Sequence, residues 1–207
     1  MKYPKGMRRG MAVKKQSKSS IPNDTYRNRG MSLEEDIHMT NTFYLETNHA
    51  IIHKKPTPVQ IVNVHYPKRS AAVITEGYFQ AKSTTDFNGV YRGKHIDFEA
   101  KETKNKTLFP LANFHDHQFK HMEQVLLQGG ICFAIIRFQT FGETYFFPGD
   151  LIINYWHDMI NGGKKSISYS VFQEKGHKIP FTLQKRVDYL SIVDQLYFNS
   201  YNKQNHR

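Results

Sequence analysis

Apolar positions along the chain fall into blocks whose period switches between the 3.6 of a helix and the 2 of a strand. Leu33, Ile37, Thr40 and Tyr44 recur at helical spacing behind Ser32 and Glu35. That Ser-x-x-Glu pair is the pattern of a helix N-terminus whose two side chains satisfy each other's backbone donors, so a helix is expected over 32–46. A short strand is expected at 50–53. From 53 to 82 the chain is β-rich (VQIVNVHY, AAVITEGYF) and broken by prolines, and its alternation changes phase between Ile61 and Val62. This segment predicts an inserted arm or long hairpin.

Two further period-2 runs, TTDFNGVY and KHIDFEAKET, flank Arg92-Gly93 and predict a hairpin. Phe119, Met122 and Leu126 share a helical face within 113–128, which Gly129-Gly130 closes. ICFAIIRF, 131–138, is nearly all apolar, as a strand covered on both faces should be. A strand at 142–147, a helix over 148–159 with Pro148 near its first turn, a strand-like SISYSVF at 166–172 and an amphipathic segment at 187–197 complete the pattern. Strands alternating with helices predict an α/β sheet.

Composition adds limits. A chain of 207 residues with 39% hydrophobic residues is long enough to bury one core. No apolar run approaches the roughly 18 residues that span a bilayer, and the basic N-terminus lacks the apolar stretch of a secretory signal. Cys132, the only cysteine, sits inside the apolar strand, so it is expected to be a buried small side chain. With no intrachain disulfide possible, a reducing, cytoplasmic compartment is expected.

Charge changes the picture more. Lys and Arg number 29 against 18 Asp and Glu, a formal charge of +11, which favours a polyanionic partner. Residues 1–30 lack periodicity and carry nine Lys and Arg against Asp24 alone, so +8 of that charge lies in a segment expected to be a disordered basic arm. The basic residues of the inserted segment, Lys54, Lys55, Lys68, Arg69 and Lys82, cluster near its expected turns. With Arg27 and Arg29 they are the candidate DNA-binding side chains.

The candidate chemistry lies on the hairpin. A two-residue turn at Arg92-Gly93 sets Tyr91 opposite Lys94 and, further down the ladder, Asp86 opposite Glu99 and Asn88 opposite Asp97. Period 2 then places Thr84, Asp86, Asp97, Glu99 and Lys101 on one face, with Ile96, Phe98 and Ala100 turned into the core. Opposed carboxylates repel and raise each other's pKa unless a cation neutralises them. A divalent metal with carboxylate, backbone carbonyl (that of Ala100) and water ligands does so, and suits Mg²⁺. With Lys101 alongside, the set fits phosphodiester hydrolysis. A solvated hairpin face carrying ordinary charges remains open on this spacing alone. Gln118 borders the apolar face of the following helix, within reach of a metal-bound water. Asp97 and Glu35 stand as structural or assisting groups. His115 and His117, at i and i+2 of the expected helix, should point apart, which argues against zinc.

These residues carry a family resemblance. T-x-D followed by E-A-K on the next strand, with Gln on the next helix, resembles the PD-(D/E)xK nuclease superfamily; its name-giving proline is Thr85 here. STTDFNGVYRGKHIDFEAKET is similar to the RecU-type Holliday junction resolvases of Gram-positive bacteria, and the similarity runs from about residue 28 to the C-terminal helix. The resemblance implies a restriction-endonuclease-like mixed sheet flanked by helices, with residues 53–82 as an inserted β-rich stalk, a nuclease domain over 31–200 and a flexible tail at 201–207. It implies Thr84, Asp86, Glu99 and Gln118 at a Mg²⁺ site where Mn²⁺ can substitute, and Lys101 as the transition-state stabiliser. It also implies a cytoplasmic homodimer that resolves branched DNA, a four-way junction, in recombination, repair and chromosome segregation, with other recombination proteins as further partners. Another endonuclease of the superfamily, cutting linear duplex, and a non-catalytic junction-binding protein are the alternatives.

Deleting residues 1–30 is expected to weaken junction binding and to flatten the fall of log K with log salt, because fewer counterions are released. A salt titration with an unchanged slope would reduce the segment to a solubilising tail.

Overall fold

The computed structural model describes residues 31–80 and 84–199. The expected arm at 1–30, with Arg27 and Arg29, and the expected tail at 201–207 lie outside the described residues, as do Lys82 and the side chain of Arg69. The described residues from Ser32 onward belong to one compact unit.

Helix α1, Leu33–Glu46, starts as its sequence predicts. The Ser32 hydroxyl accepts from the Glu35 N–H at 3.2 Å and the Glu35 carboxylate accepts from the Ser32 N–H at 2.8 Å. Glu35 is therefore a capping residue. Strand β1, Ile51–Lys54, follows, then the arm: β2, Val59–His65, and β3, Val73–Phe79, pair antiparallel and only with each other. Their register is irregular between Ile61 and Val64, where the alternation changes phase. Every residue of both strands is exposed, Phe79 to 83%.

Strands β4, Phe87–Tyr91, and β5, Lys94–Thr103, form the hairpin in the register expected of a two-residue turn: Tyr91 pairs with Lys94, Asn88 with Asp97, Phe87 with Phe98. Arg92 and Gly93 both take positive φ, 49° and 75°, the geometry whose twist suits a tight hairpin. Arginine is a costly residue there. Its guanidinium is held by Asp194 at 2.7 Å and lies 4.4 Å above the Phe198 ring, contacts that offset the strain.

Beyond β6, Leu108–Pro110, helix α2 spans Asp116–Leu127 and ends with Gly129 at φ 76°. It begins three residues later than the periodicity suggests, because Leu111–Asn113 forms a separate single turn. Strand β7, Ile131–Phe138, runs parallel to β5, and β8, Glu143–Pro148, antiparallel to β7. Then come α3, Gly149–Ile160, β9, Ser166–Ser168, α4, Tyr169–Lys175, β10, His177–Ile179, and α5, Tyr189–Val193, which continues as a π-helical turn to Phe198.

The six-stranded sheet has the order β1-β4-β5-β7-β8-β10, mixed because β5–β7 alone is parallel. One face packs on α1 and α5 through Ile37, Tyr44, Tyr189 and Leu190, and across it Phe87, Phe98, Phe133 and Phe146 stack in a row with centroids 4.2–4.9 Å apart. The other face packs on α2, α3 and α4 through Phe119, Met122, Trp156 and Phe172. Cys132 is buried in it. Among the described residues no helix is long and apolar enough to cross a membrane.

One expected element is corrected. SISYSVF supplies only the three strand residues of β9 before the chain turns into α4. Alternating Ile167, Tyr169 and Val171 resemble a strand, yet burial of Phe172 among Phe109, Phe138 and Phe147 is best met by a helical turn.

Gly93→Ala is expected to lower the unfolding free energy by about 1 kcal/mol, the left-handed penalty of a Cβ. The measurement is the urea midpoint at unchanged slope.

Candidate functional site

The hairpin register brings together what the sequence pattern paired. Odd-numbered Asp97, Glu99 and Lys101 of β5 face α2, while Ile96, Phe98 and Ala100 turn to the α1 and α5 side. Glu99 is fully buried and Asp97 is 1% exposed. On the neighbouring strand the register partner of Glu99 is Ala134, whose methyl group leaves space beside the carboxylate.

Asp86 lies one residue before β4, at the ladder position opposite Glu99, and its backbone N–H donates to Glu99 Oε2 at 3.0 Å. The other carboxylate oxygen, Oε1, lies 2.7 Å from Lys101 Nζ, but the approach is poorly aligned and this buried oxygen has no directed hydrogen bond. Lys101 itself is part-buried and sits 5.8 Å from the Phe114 ring centre. Burial first, and then the charge of Asp86, push the Glu99 carboxyl up to about 7, against the opposing pull of Lys101.

Around this pair the other expected residues take different places. Thr84 is half-buried, and its hydroxyl donates to the Thr85 carbonyl at 3.3 Å. Gln118 is buried at the start of α2, where its Oε1 accepts from the His115 N–H at 3.0 Å. That oxygen is engaged in capping, which competes with its use as a metal ligand. His115 precedes α2 rather than lying on it, and its ring stacks on His117 at 5.3 Å, so the expected divergence of these two side chains does not occur.

Asp97 is not a solvated neighbour. Thr85 donates to its Oδ1, while Lys55 Nζ at 2.8 Å and His121 Nε2 at 3.2 Å meet its Oδ2, with His95 Nε2 at 3.5 Å. Lys55, grouped by sequence with the exposed charge of the arm, is thus an interior residue whose side chain is 16% exposed. Lys54 is tied to Glu34, and Lys68 is exposed on the arm. Beside this cluster a cavity of about 320 Å³ is lined by His95, His121, Gln124, Val125, Gln128 and Gly130. Sequence reasoning missed the cluster. Its only local signal was a lysine beside a strand end.

The residues fit a hard divalent cation. Asp86 and Glu99 would supply carboxylate oxygens, Glu99 Oε1 is buried without a directed donor, and an ion would offset the burial and the Asp86 charge that together raise the Glu99 pKa. Among the described residues no group of three or more His, Cys, Asp or Glu is arranged to hold a metal. An ion held by this pair would need carbonyl, water or phosphate oxygens to complete its shell.

The family model described as RecU, Recombination protein U, matches residues 28–195. A Holliday junction resolvase RecU of Oceanobacillus iheyensis is 59% identical over 201 residues, 96% of this chain and 100% of its own length. Its counterparts from Geobacillus kaustophilus and Bacillus subtilis are each 57% identical, covering 96% and 84% of this chain and 98% and 84% of their own. Among solved structures, the Holliday junction resolvase Hjc of Archaeoglobus fulgidus aligns over 68% of this chain and 93% of its own with a TM-score of 0.39 and 11% identity, too distant to bear on the site.

In the metal-free protein the raised Glu99 pKa has a stability consequence. Between the ordinary value of 4.5 and about 7 the unfolded carboxyl is ionised while the folded one holds its proton, so its contribution to stability falls across that window and stays lost above it. Glu99→Gln is therefore expected to gain on wild type between those pH values and to keep the gain at pH 8, as measured by denaturant melts in EDTA. A constant difference from pH 4 to pH 8 would contradict the assigned shift.

Proposed function

This chain belongs to the Recombination protein U family, and we propose that it resolves four-way DNA junctions by metal-dependent nicking at the site around Glu99. The observation that carries the site is the burial of Glu99 between the Asp86 backbone N–H and the Lys101 ammonium, with one oxygen lacking a directed donor. The enzyme is a crossover junction endodeoxyribonuclease; relatives that cover 96% of the chain are named Holliday junction resolvase RecU.

Asp86 and Glu99 are the residues that would hold the cation, with Thr84 and Gln118 as the further candidates that the family resemblance supplies. When bound, Mg²⁺, or Mn²⁺ in its place, polarises a phosphoryl oxygen and lowers the pKa of a water. The chain's own residues do the rest. Lys101 presents a point charge to the non-bridging oxygens as charge accumulates on them, and Glu99 and Phe114 hold the ammonium in position. Water attacks phosphorus in line, the bond from phosphorus to the 3′ oxygen breaks, and a proton passes to that oxygen, leaving 5′-phosphate and 3′-hydroxyl ends.

A four-way junction presents equivalent strands about a two-fold axis, so a symmetric homodimer offers one such site to each. The arm of β2 and β3, exposed along its whole length, is the element that would enter the open centre of the junction, and phosphate contacts from Lys54, Lys68, Arg69 and Lys82 with the basic N-terminal segment would supply salt-dependent affinity. Backbone contacts carry little sequence information, so selectivity rests on the shape of the branch. The cytoplasm, where chromosomal DNA recombines, is the compartment this reading requires.

Labelled four-way junction and linear duplex incubated with Mg²⁺ or EDTA test the reading. Paired nicks on the junction alone, abolished by EDTA, support it. Equal cutting of duplex identifies a different nuclease, and a gel shift without cleavage identifies a binder. Asp86→Ala and Glu99→Ala are expected to bind junction at low salt without cutting it, and Lys101→Met to slow single-turnover cleavage by roughly 10²–10³-fold, the cost of one transition-state charge contact.

A further inference from the structure

Lys55 stands where β1 ends and the inserted arm begins, and two of its three bonds fall on the segment that carries Asp86, the third on β5. Its backbone N–H donates to the Asp86 carbonyl at 2.8 Å. Its ammonium donates to Thr85 Oγ1 at 3.0 Å and to Asp97 Oδ2 at 2.8 Å. Thr85 in turn donates to Asp97 Oδ1, and His121 closes the cluster from α2 at 3.2 Å. Asp97 shares a strand face with Glu99 two residues on, and Glu99 accepts from the Asp86 N–H. Residues 85 and 86 are thus gripped from both sides, by Lys55 and Asp97 on one and by Glu99 on the other.

A buried ion pair adds little net stability, because desolvating both charges offsets their attraction. The consequence of this pair lies in what it orients. Asp86 stands outside the regular ladder, since β4 begins only at Phe87, so strand pairing alone does not fix the direction of its carboxylate. The bonds through Lys55 fix the backbone from which that carboxylate projects toward its side-chain hydrogen bond with Glu99. They also join the end of β1, where the arm leaves the sheet, to the residues that precede β4.

We propose that Lys55 is a positioning residue that sets the Asp86 carboxylate against Glu99, and so sets the affinity of the site for a divalent cation, rather than a contact to the DNA backbone. The proposal rests on the reading of Asp86 and Glu99 as the cation-holding pair. The Lys55 ammonium acts on Asp86 through Thr85 and Asp97 and touches neither carboxylate of the pair, so the roughly 10–100-fold change typical on removing outer partners of metal ligands is the upper bound expected here.

Calorimetric titration of Mn²⁺ into the full-length protein tests it, with wild type, Lys55→Met, the double variant Lys55→Met/Asp97→Asn, and Asp86→Ala as the blank. The double variant leaves no unpaired buried acid, so it separates positioning from folding. Lys55→Met and the double variant are expected to weaken Mn²⁺ binding by up to roughly 10–100-fold, to shift the metal concentration for half-maximal cleavage in parallel, and to keep wild-type junction affinity in EDTA. Recovery of cleavage at high metal concentration supports the proposal further, since a simply misfolded site would not recover. Unchanged Mn²⁺ affinity in a double variant that melts like wild type overturns it. So does a loss of junction affinity in EDTA with metal binding intact, which makes Lys55 a phosphate contact. If wild type binds Mn²⁺ no better than Asp86→Ala does, the carboxylate pair itself is misassigned and the proposal falls with it.

Discussion

The pairing of Phe87 with Phe98 is the constraint from which the site follows. These rings stack 4.9 Å apart at one end of a row that continues through Phe133 to Phe146, all buried against α1 and α5. A slip of one residue would turn that row toward α2 and carry Glu99 and Lys101 to the apolar side. Aromatic burial on one face thereby fixes charge placement on the other. The turn cooperates, since Arg92 and Gly93 both occupy left-handed conformations that admit no third residue, and Asp194 with Phe198 clamps the arginine from the C-terminal helix. The chain end far from the site in sequence thus helps to hold its register.

What could be read from the sequence was what local periodicity encodes. The capping pair Ser32 and Glu35, the hairpin register and the covered strand Ile131–Phe138 each depend on residues a few positions apart, and each stands in the structure as expected. The shared face of Asp97, Glu99 and Lys101 needs only period 2 and the turn length. Long-range satisfaction was not legible. Lys55 looks like its neighbour Lys54 in sequence, and only the fold distinguishes them: Lys54 pairs with Glu34 at the surface, while Lys55 reaches 42 residues along the chain to Asp97. Gln118 was placed near the site by its helical face, yet the competition of an unsatisfied backbone donor at the start of α2 for its oxygen was invisible. The segment 166–172 misled for a similar reason, since the burial of Phe172 is decided by rings from β6, β7 and β8.

The arm presents the opposite physics. Strands β2 and β3 expose Ile61, Val64, Ile74, Tyr78 and Phe79, and Tyr66 just after β2 is exposed with them. An apolar ribbon of this kind marks a surface that meets a partner. The register irregularity near Val62 increases local twist and makes the ribbon a poor template for edge pairing with other chains. Aromatic side chains on an exposed ribbon suit the unstacked bases of a branch point better than an unbroken duplex, whose bases are stacked and whose phosphates ask for charge. In the proposed reading the arm would supply apolar area, and Lys68 with the basic N-terminal segment the electrostatic part.

Two acid–lysine pairs lie side by side on the same strand face, and their hydrogen bonds tell them apart. Asp97 and Glu99 are both buried, two residues apart, each with an ammonium at 2.7–2.8 Å. Asp97 is saturated: Thr85 takes one oxygen, Lys55 and His121 the other, and an ion entering there would have to displace a cation already in place. Glu99 is left short, with a backbone N–H on one oxygen and an ill-aligned lysine near the other. Burial, and after it the neighbouring charge of Asp86, push the Glu99 carboxyl up to about 7. A fold that satisfies one buried carboxylate in full and leaves its neighbour wanting a further positive charge has separated a scaffold from a site. Lys55 belongs to the first and Lys101 to the second.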